Sequence, residues 1–148
     1  MKKIILPAFL MVLFLLSTIF AGENNVKKED KGDVEQVITN FVKSIDTRDA
    51  NTLSKSVISG ANIFLFNQIS NKLDNYSGSQ FVDLVRNGQK GGWIRTVSVS
   101  LVDVDGNIAT AKINITDARL KESGYITLIK NDGMWMIATE ATTLELNK

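Results

Sequence analysis

Asp117 is the carboxylate best placed to do chemistry. It shares strand parity with Ala109, Ala111, Ile113 and Ile115, so alternation carried to the end of that strand sets its side chain on the apolar side. A desolvated carboxylate there has a raised pKa and can act as a base. The same residue opens the stretch Asp117-Ala118-Arg119, and aspartate is a favoured turn residue, so a plain turn is the competing role. Tyr76 offers a hydroxyl to a ligand, or else a half-buried ring over the core. Asp117, Tyr76 and Asp74 can be cast as the base, hydroxyl donor and protonated acid of a steroid-isomerase arrangement. Arg95 and Arg119 have the fork to hold an anion, or stay solvated as isolated arginines do. The chain has no histidine, which excludes histidine-dependent dehydration and a histidine-ligated metal and makes a triad hydrolase implausible. No metal or cofactor is expected, and binding is the preferred role over catalysis.

The elements that position these groups follow from periodicity. Asp33 is a good helix N-cap, and Val34, Val37, Ile38, Phe41, Val42 and Ile45 trace one apolar stripe behind it. Asp46 to Asp49 breaks the pattern, and Ala50 to Val57 forms a short second helix. Asn62 to Ile69 is β-prone, Ser70-Asn71-Lys72 turns, and Leu73 to Tyr76 returns. Ser79 then caps a third helix, Gln80 to Arg86. After the Gly-rich loop Asn87 to Gly92 come four β segments, Trp93–Val104, Asn107–Asp117, Ser123–Lys130 and Met134–Thr143. Asp105-Gly106 and Asn131-Asp132-Gly133 mark two of the turns. The first segment turns Trp93, Val97, Val99 and Leu101 to one face. In the last, Trp135 and Ile137 share a face, with Met134, Met136 and Glu140 opposite. A sheet with one apolar face needs a cover, which the amphipathic helices supply.

Residues 1–22 read as a signal peptide: Lys2 and Lys3, an apolar run from Ile4 to Leu16, and small residues before a cut after Ala21. An uncleaved anchor is the alternative, and only then does the chain meet a membrane. Either way the lysines hold the N-terminus inside and send the domain out of the cytoplasm, to periplasm or exterior. Of 17 Lys+Arg and 16 Asp+Glu, the segment holds two lysines and no acid, so the remainder carries a net charge of −1. A near-neutral domain lacks the basic footprint of a nucleic-acid binder. Residues 23–32, polar and charged, read as a flexible leader, and residues 33–145 as one domain. With no cysteine, that domain holds itself by a hydrophobic core alone.

Helices first, then a small hairpin, another helix and a meander is the order of an α+β fold, the cone-shaped nuclear transport factor 2-like superfamily. The pieces Val34-Glu35-Gln36-Val37-Ile38 with Phe41, Arg48-Asp49-Ala50 with Leu53, Ile108-Ala109-Thr110-Ala111-Lys112, Tyr125-Ile126-Thr127-Leu128-Ile129-Lys130 and Asp132-Gly133-Met134-Trp135-Met136-Ile137 resemble its putative lumazine-binding group. The resemblance implies N-terminal helices on a curved antiparallel sheet, and a pocket between them for a small apolar or amphipathic ligand. Phe41, Trp93, Val97, Ile113, Asp117 and Trp135 are its expected lining, with Tyr76 near its mouth. It also implies a homodimer through the outer sheet face, where Tyr125, Met134 and Met136 lie. The group usually opens the third long strand with Asp-Tyr. Here Gly124 precedes Tyr125, so the acid is lost or displaced to Asp117 or Glu122.

Overall fold

The apolar stripe of the first helix becomes the spine of the core. In the computed structural model, which describes residues 8–147 and their side chains from Lys28 onward, α1 runs over Ala8–Thr47 and buries Val34, Ile38, Phe41, Val42 and Ile45. The side chains of the expected signal segment lie outside the described residues. The helix does not begin at an Asp33 cap: it passes unbroken through the stretch expected to be a leader. Asp30 shows why. Its Oδ1 accepts hydrogen bonds from Lys130 Nζ at 2.6 Å and Trp135 Nε1 at 3.3 Å, and the Lys130 ammonium lies 5.5 Å from the Trp135 ring centre. Lys130 in turn holds the Asp30 carboxyl below the usual range. These partners sit a hundred residues away and pin Asp30, while Lys28, Glu29, Lys31 and Asp33 beside it are exposed, as their composition implies.

Thr47 ends α1, Arg48 takes a left-handed φ of 57°, and Asp49 caps α2 (Ala50–Ser56) by accepting from Thr52 N at 3.0 Å. The chain then enters β1 (Val57–Asn67) and β2 (Lys72–Ser77). α3 (Gly78–Arg86) is capped by Ser77 rather than Ser79. Ser77 Oγ accepts from Gln80 N at 3.2 Å and Gln80 Oε1 accepts from Ser77 N at 2.8 Å, a capping box two residues earlier than expected.

The remaining strands are β3 (Thr96–Asp105), β4 (Ile108–Thr116), β5 (Leu120–Asn131) and β6 (Met134–Leu146). The sheet has six strands in the order β2-β1-β6-β5-β4-β3. It is mixed, not antiparallel, because β6 enters between β5 and the early hairpin and runs parallel to β1. Helices cover one face, where Ile113, Ile126, Leu128 and Ile137 meet Phe41 and Leu53 in the core. In β3, Leu101 and Val102 together oppose Ala111, and Leu101 takes a φ of 51°. This bulge turns Leu101 out to solvent, against the alternation expected of it, and leaves Val102 and Val104 on the covered side.

Candidate functional site

A second bulge decides what the site contains. In β6, Ile137 pairs with Leu128 and Thr139 with Thr127, so Ala138 is an extra residue. Trp135 and Ile137 face the core before it, and after it the parity reverses, so Glu140 and Thr142 turn inward. Unbroken alternation would leave Glu140 outside with Met134 and Met136. It is instead 4% exposed.

Glu140 lies in the wall of a cavity of about 260 Å³ bounded by the end of α1, the β1–β2 hairpin, α3, the loop before β3 and the ends of β4, β5 and β6. Ile45, Ile63, Leu65, Phe81, Ile115 and Leu144 supply apolar wall, and Arg95, Glu122, Glu140 and Thr142 a polar end. Arg95 organises that end. Its Nε donates to Asp46 Oδ1 at 2.6 Å, its backbone N to Asp46 Oδ2 at 3.0 Å, and its Nη1 to Glu122 Oε2 at 3.3 Å. The other oxygen of Glu122 accepts from Thr142 Oγ1 at 2.7 Å. Arg95 Nη2 is buried without a hydrogen-bond partner among the described residues. Burial, reinforced by the nearby Glu122 charge and opposed by Arg95, pushes the Glu140 carboxyl up to about 8.

The loop from Asn87 to Arg95 is stitched to the end of α1. Gly92 N donates to Asp46 O at 3.1 Å, and Arg48 Nη2 donates to Gly91 O at 3.2 Å. Gly91 has a φ of 79°, and a Cβ on it would overlap the Ile45 carbonyl oxygen. Gly91→Ala is therefore expected to cost more than about 1 kcal/mol in denaturant unfolding and to loosen Arg95, whereas an alanine no more destabilising than an ordinary surface change would sink this account.

The expected site residues divide. Trp93, half out in solvent, and Asp117 do line the cavity. Phe41, Ile113 and Trp135 are buried in the helix–sheet core, and Val97 packs against it, away from the cavity wall. Asp117 is not a desolvated base. Its Oδ1 accepts from Arg119 N at 2.7 Å and Leu120 N at 2.8 Å, and these two bonds hold the carboxyl below the usual range. It is the turn residue that the alternative reading described. Tyr76 lies beside the cavity rather than in its wall. Its ring centre is 6.2 Å from that of Phe81 and 5.4 Å from the Lys90 ammonium, and burial, with the Asp74 charge, raises its hydroxyl pKa. Asp74 is in the wall, held by Lys72 at 2.8 Å and lowered by it. No three of these make the isomerase arrangement.

Arg95 reaches the site, with its fork spent mainly on Asp46 and Glu122 rather than held open for an anion. Of the two acids named for the place that Gly124 leaves without one, both Asp117 and Glu122 line the cavity, and Glu122, two residues before Gly124, lies on the same sheet face. A Cβ at Gly124 would overlap the Ala141 carbonyl oxygen, so no acid fits there. Asp46 and Glu140 went unrecognised as site residues. Asp46 reads locally as a helix breaker, and Glu140 could be found only by knowing of the bulge at Ala138.

Comparisons with known proteins agree with this architecture. No functionally curated protein matches the chain. A nuclear transport factor 2-like protein of unknown function from Silicibacter pomeroyi superposes with a TM-score of 0.67 at 16% identity, covering 81% of this chain and 98% of that one. Another, from Methylobacillus flagellatus, gives 0.64 at 19% identity, with 81% and 94% covered. A third, from Novosphingobium aromaticivorans and described as having a cystatin-like fold, gives 0.63 at 14% identity, with 86% and 88% covered. At such identities they establish the fold alone. The sequence profile of the family described as putative lumazine-binding matches residues 29–141, from the last turns of α1 to the middle of β6. The chain belongs to the putative lumazine-binding family and has the nuclear transport factor 2-like fold.

Proposed function

We propose that this chain is an exported domain that binds a small amphipathic molecule in the cavity at the open end of its sheet. The observation that carries the reading is the cavity's division: apolar walls from Ile63, Leu65, Phe81 and Leu144, and a buried polar end at Arg95, Glu122 and Glu140. Pockets built for small molecules combine mostly apolar lining with a few convergent polar groups. Membership in a family named for a small-molecule ligand supports the same reading. Export rests on the signal-like sequence of residues 1–22, and a membrane enters only if that segment is retained.

The outer sheet face is the proposed homodimer surface. Tyr125 and Met134 are exposed there, and Ile108, Ile129 and Met136 lie side by side across β4, β5 and β6. Native mass spectrometry of the chain isolated from its host, paired with a thermal-shift screen of small amphipathic compounds, tests both halves. A dimer mass and a shift from at least one compound are expected. A strictly monomeric species that no compound stabilises removes the proposal. One observation keeps a second reading in view: Glu140, neutral at pH 7 and in the cavity wall, is a group that can give a proton to a bound substrate, as an isomerase or hydrolase requires.

A further inference from the structure

We infer that the cavity takes a small organic cation, a protonated amine on an apolar body, with its ammonium seated at Glu140. The inference rests on the ligand-binding reading and narrows it. Two carboxylates, Asp46 and Glu122, pair with the single guanidinium of Arg95, and the Glu140 carboxyl feels the charges of both Glu122 and Arg95. At the mouth, Asp74 is paired with Lys72, and Asp117 is set against Lys90. With Glu140 protonated, the inner end still holds two carboxylates against one guanidinium, a balance that favours a cation over an anion.

Hydrogen-bond accounting names the seat. Asp46 is occupied by Arg95 Nε and N, and Glu122 by Arg95 Nη1 and Thr142. Asp74 has Lys72, and Asp117 has the amides of Arg119 and Leu120. Among the described carboxylates of the cavity, Glu140 alone has no donor, and it is also the most buried. The Glu140 carboxyl is therefore free to take a partner from the cavity, and an ammonium, with three donors and no acceptor, complements two carboxylate oxygens. The buried Arg95 Nη2 remains for an oxygen on the same ligand or for water.

Glu140 carries a proton before the ligand arrives, so seating the ammonium must expel it. The groups that face Glu140 are Glu122 from β5 and Arg95 from the loop before β3, with Asp46 of α1 behind Arg95.

The test compares three probes of one shape, 2-phenylethylamine, 3-phenylpropionate and 2-phenylethanol, by calorimetry and by the fluorescence of Trp93, which lies in the cavity wall. The amine is expected to bind at least about tenfold more tightly than either other probe at neutral pH. Calorimetry in buffers of differing ionisation enthalpy should show the amine releasing about one proton on binding. Glu140→Gln, a mimic of the protonated carboxyl, should lose both the preference and the proton release. Equal or tighter binding of the carboxylate or the alcohol overturns the cation while leaving a ligand-binding cavity standing. So does an amine preference that survives in Glu140→Gln. If none of the three binds, the cavity reading falls with it. The probe comparison and the proton count need only the parent chain.

Discussion

Glu140→Gln is expected to raise stability by less than about 1 kcal/mol near pH 5 and by several times that at about pH 8. The folded state holds this carboxyl at about 8, against 4.5 for an ordinary glutamate. Between those values the folded chain keeps a proton that the unfolded chain has released. The folded state therefore binds more protons, and stability must fall as pH rises. One group lowers it by about 1.4 kcal/mol for each pH unit inside the window, and the loss is complete once the folded carboxyl has also ionised. Glutamine has the shape of the protonated form and no titration, so the variant lacks this slope. The lowered aspartates, Asp30, Asp49, Asp74 and Asp117, act in the opposite sense. What they contribute is present above the ordinary aspartate pKa of 3.8 and lost as pH falls below it, so it does not overlap the Glu140 window. Denaturant unfolding of both chains from pH 5 to pH 9 reads the difference directly, and parallel stability curves would show that Glu140 is solvated and titrates normally.

What could be seen before the structure was whatever depends on neighbours in sequence. The stripe from Val34 to Ile45 announces a helix because period alone places those side chains on one face. Ala109, Ala111, Ile113 and Ile115 alternate without interruption and are buried as expected. The Asp105-Gly106 and Asp132-Gly133 turns form where their residues tolerate positive φ. What could not be seen depends on a single inserted residue or on distant partners. Leu101 and Ala138 each shift the alternation of a strand by one, and the second shift moves Glu140 from the outer face into the cavity. The parallel pairing of β1 with β6 joins residues as far apart in sequence as Val57 and Ile137, and no local signal encodes it. Asp117 stood between two roles that strand parity could not separate, and the two backbone amides it accepts settle it as a turn. A cavity lies between helices and sheet, yet Phe41, Ile113 and Trp135, which alternation and periodicity point inward, belong to the core rather than to its wall. Residues at the end of the cone, Ile45, Arg95, Glu122 and Glu140, form the wall, with Asp46 holding Arg95 from behind, because loops and bulges bring them together.

Arg95→Ala should be the most damaging single change in the domain. The guanidinium is the only described cation among Asp46, Glu122 and Glu140, and the side chains of Arg95, Asp46 and Glu122 are 16%, 8% and 13% exposed. Removing one partner of a buried ion pair costs on the order of 3–5 kcal/mol, because it leaves an uncompensated charge rather than because the pair was strongly stabilising. Native domains are stable by only about 5–15 kcal/mol, so the variant should sit close to unfolding. It should also recover as pH falls, since protonating the stranded carboxylates removes the unpaired charge. Arg95→Lys should fall between the two, because a point ammonium cannot serve Asp46 and Glu122 at once as Nε and Nη1 do. Adding Asp46→Asn to Arg95→Ala should restore part of the loss, which a mere packing defect would not allow. If Arg95→Ala unfolds within about 1 kcal/mol of the parent at pH 8, the cluster is open to water and its charges are worth no more than surface pairs. In that event the cavity loses the low dielectric on which both the neutral Glu140 and the preference for a cation depend.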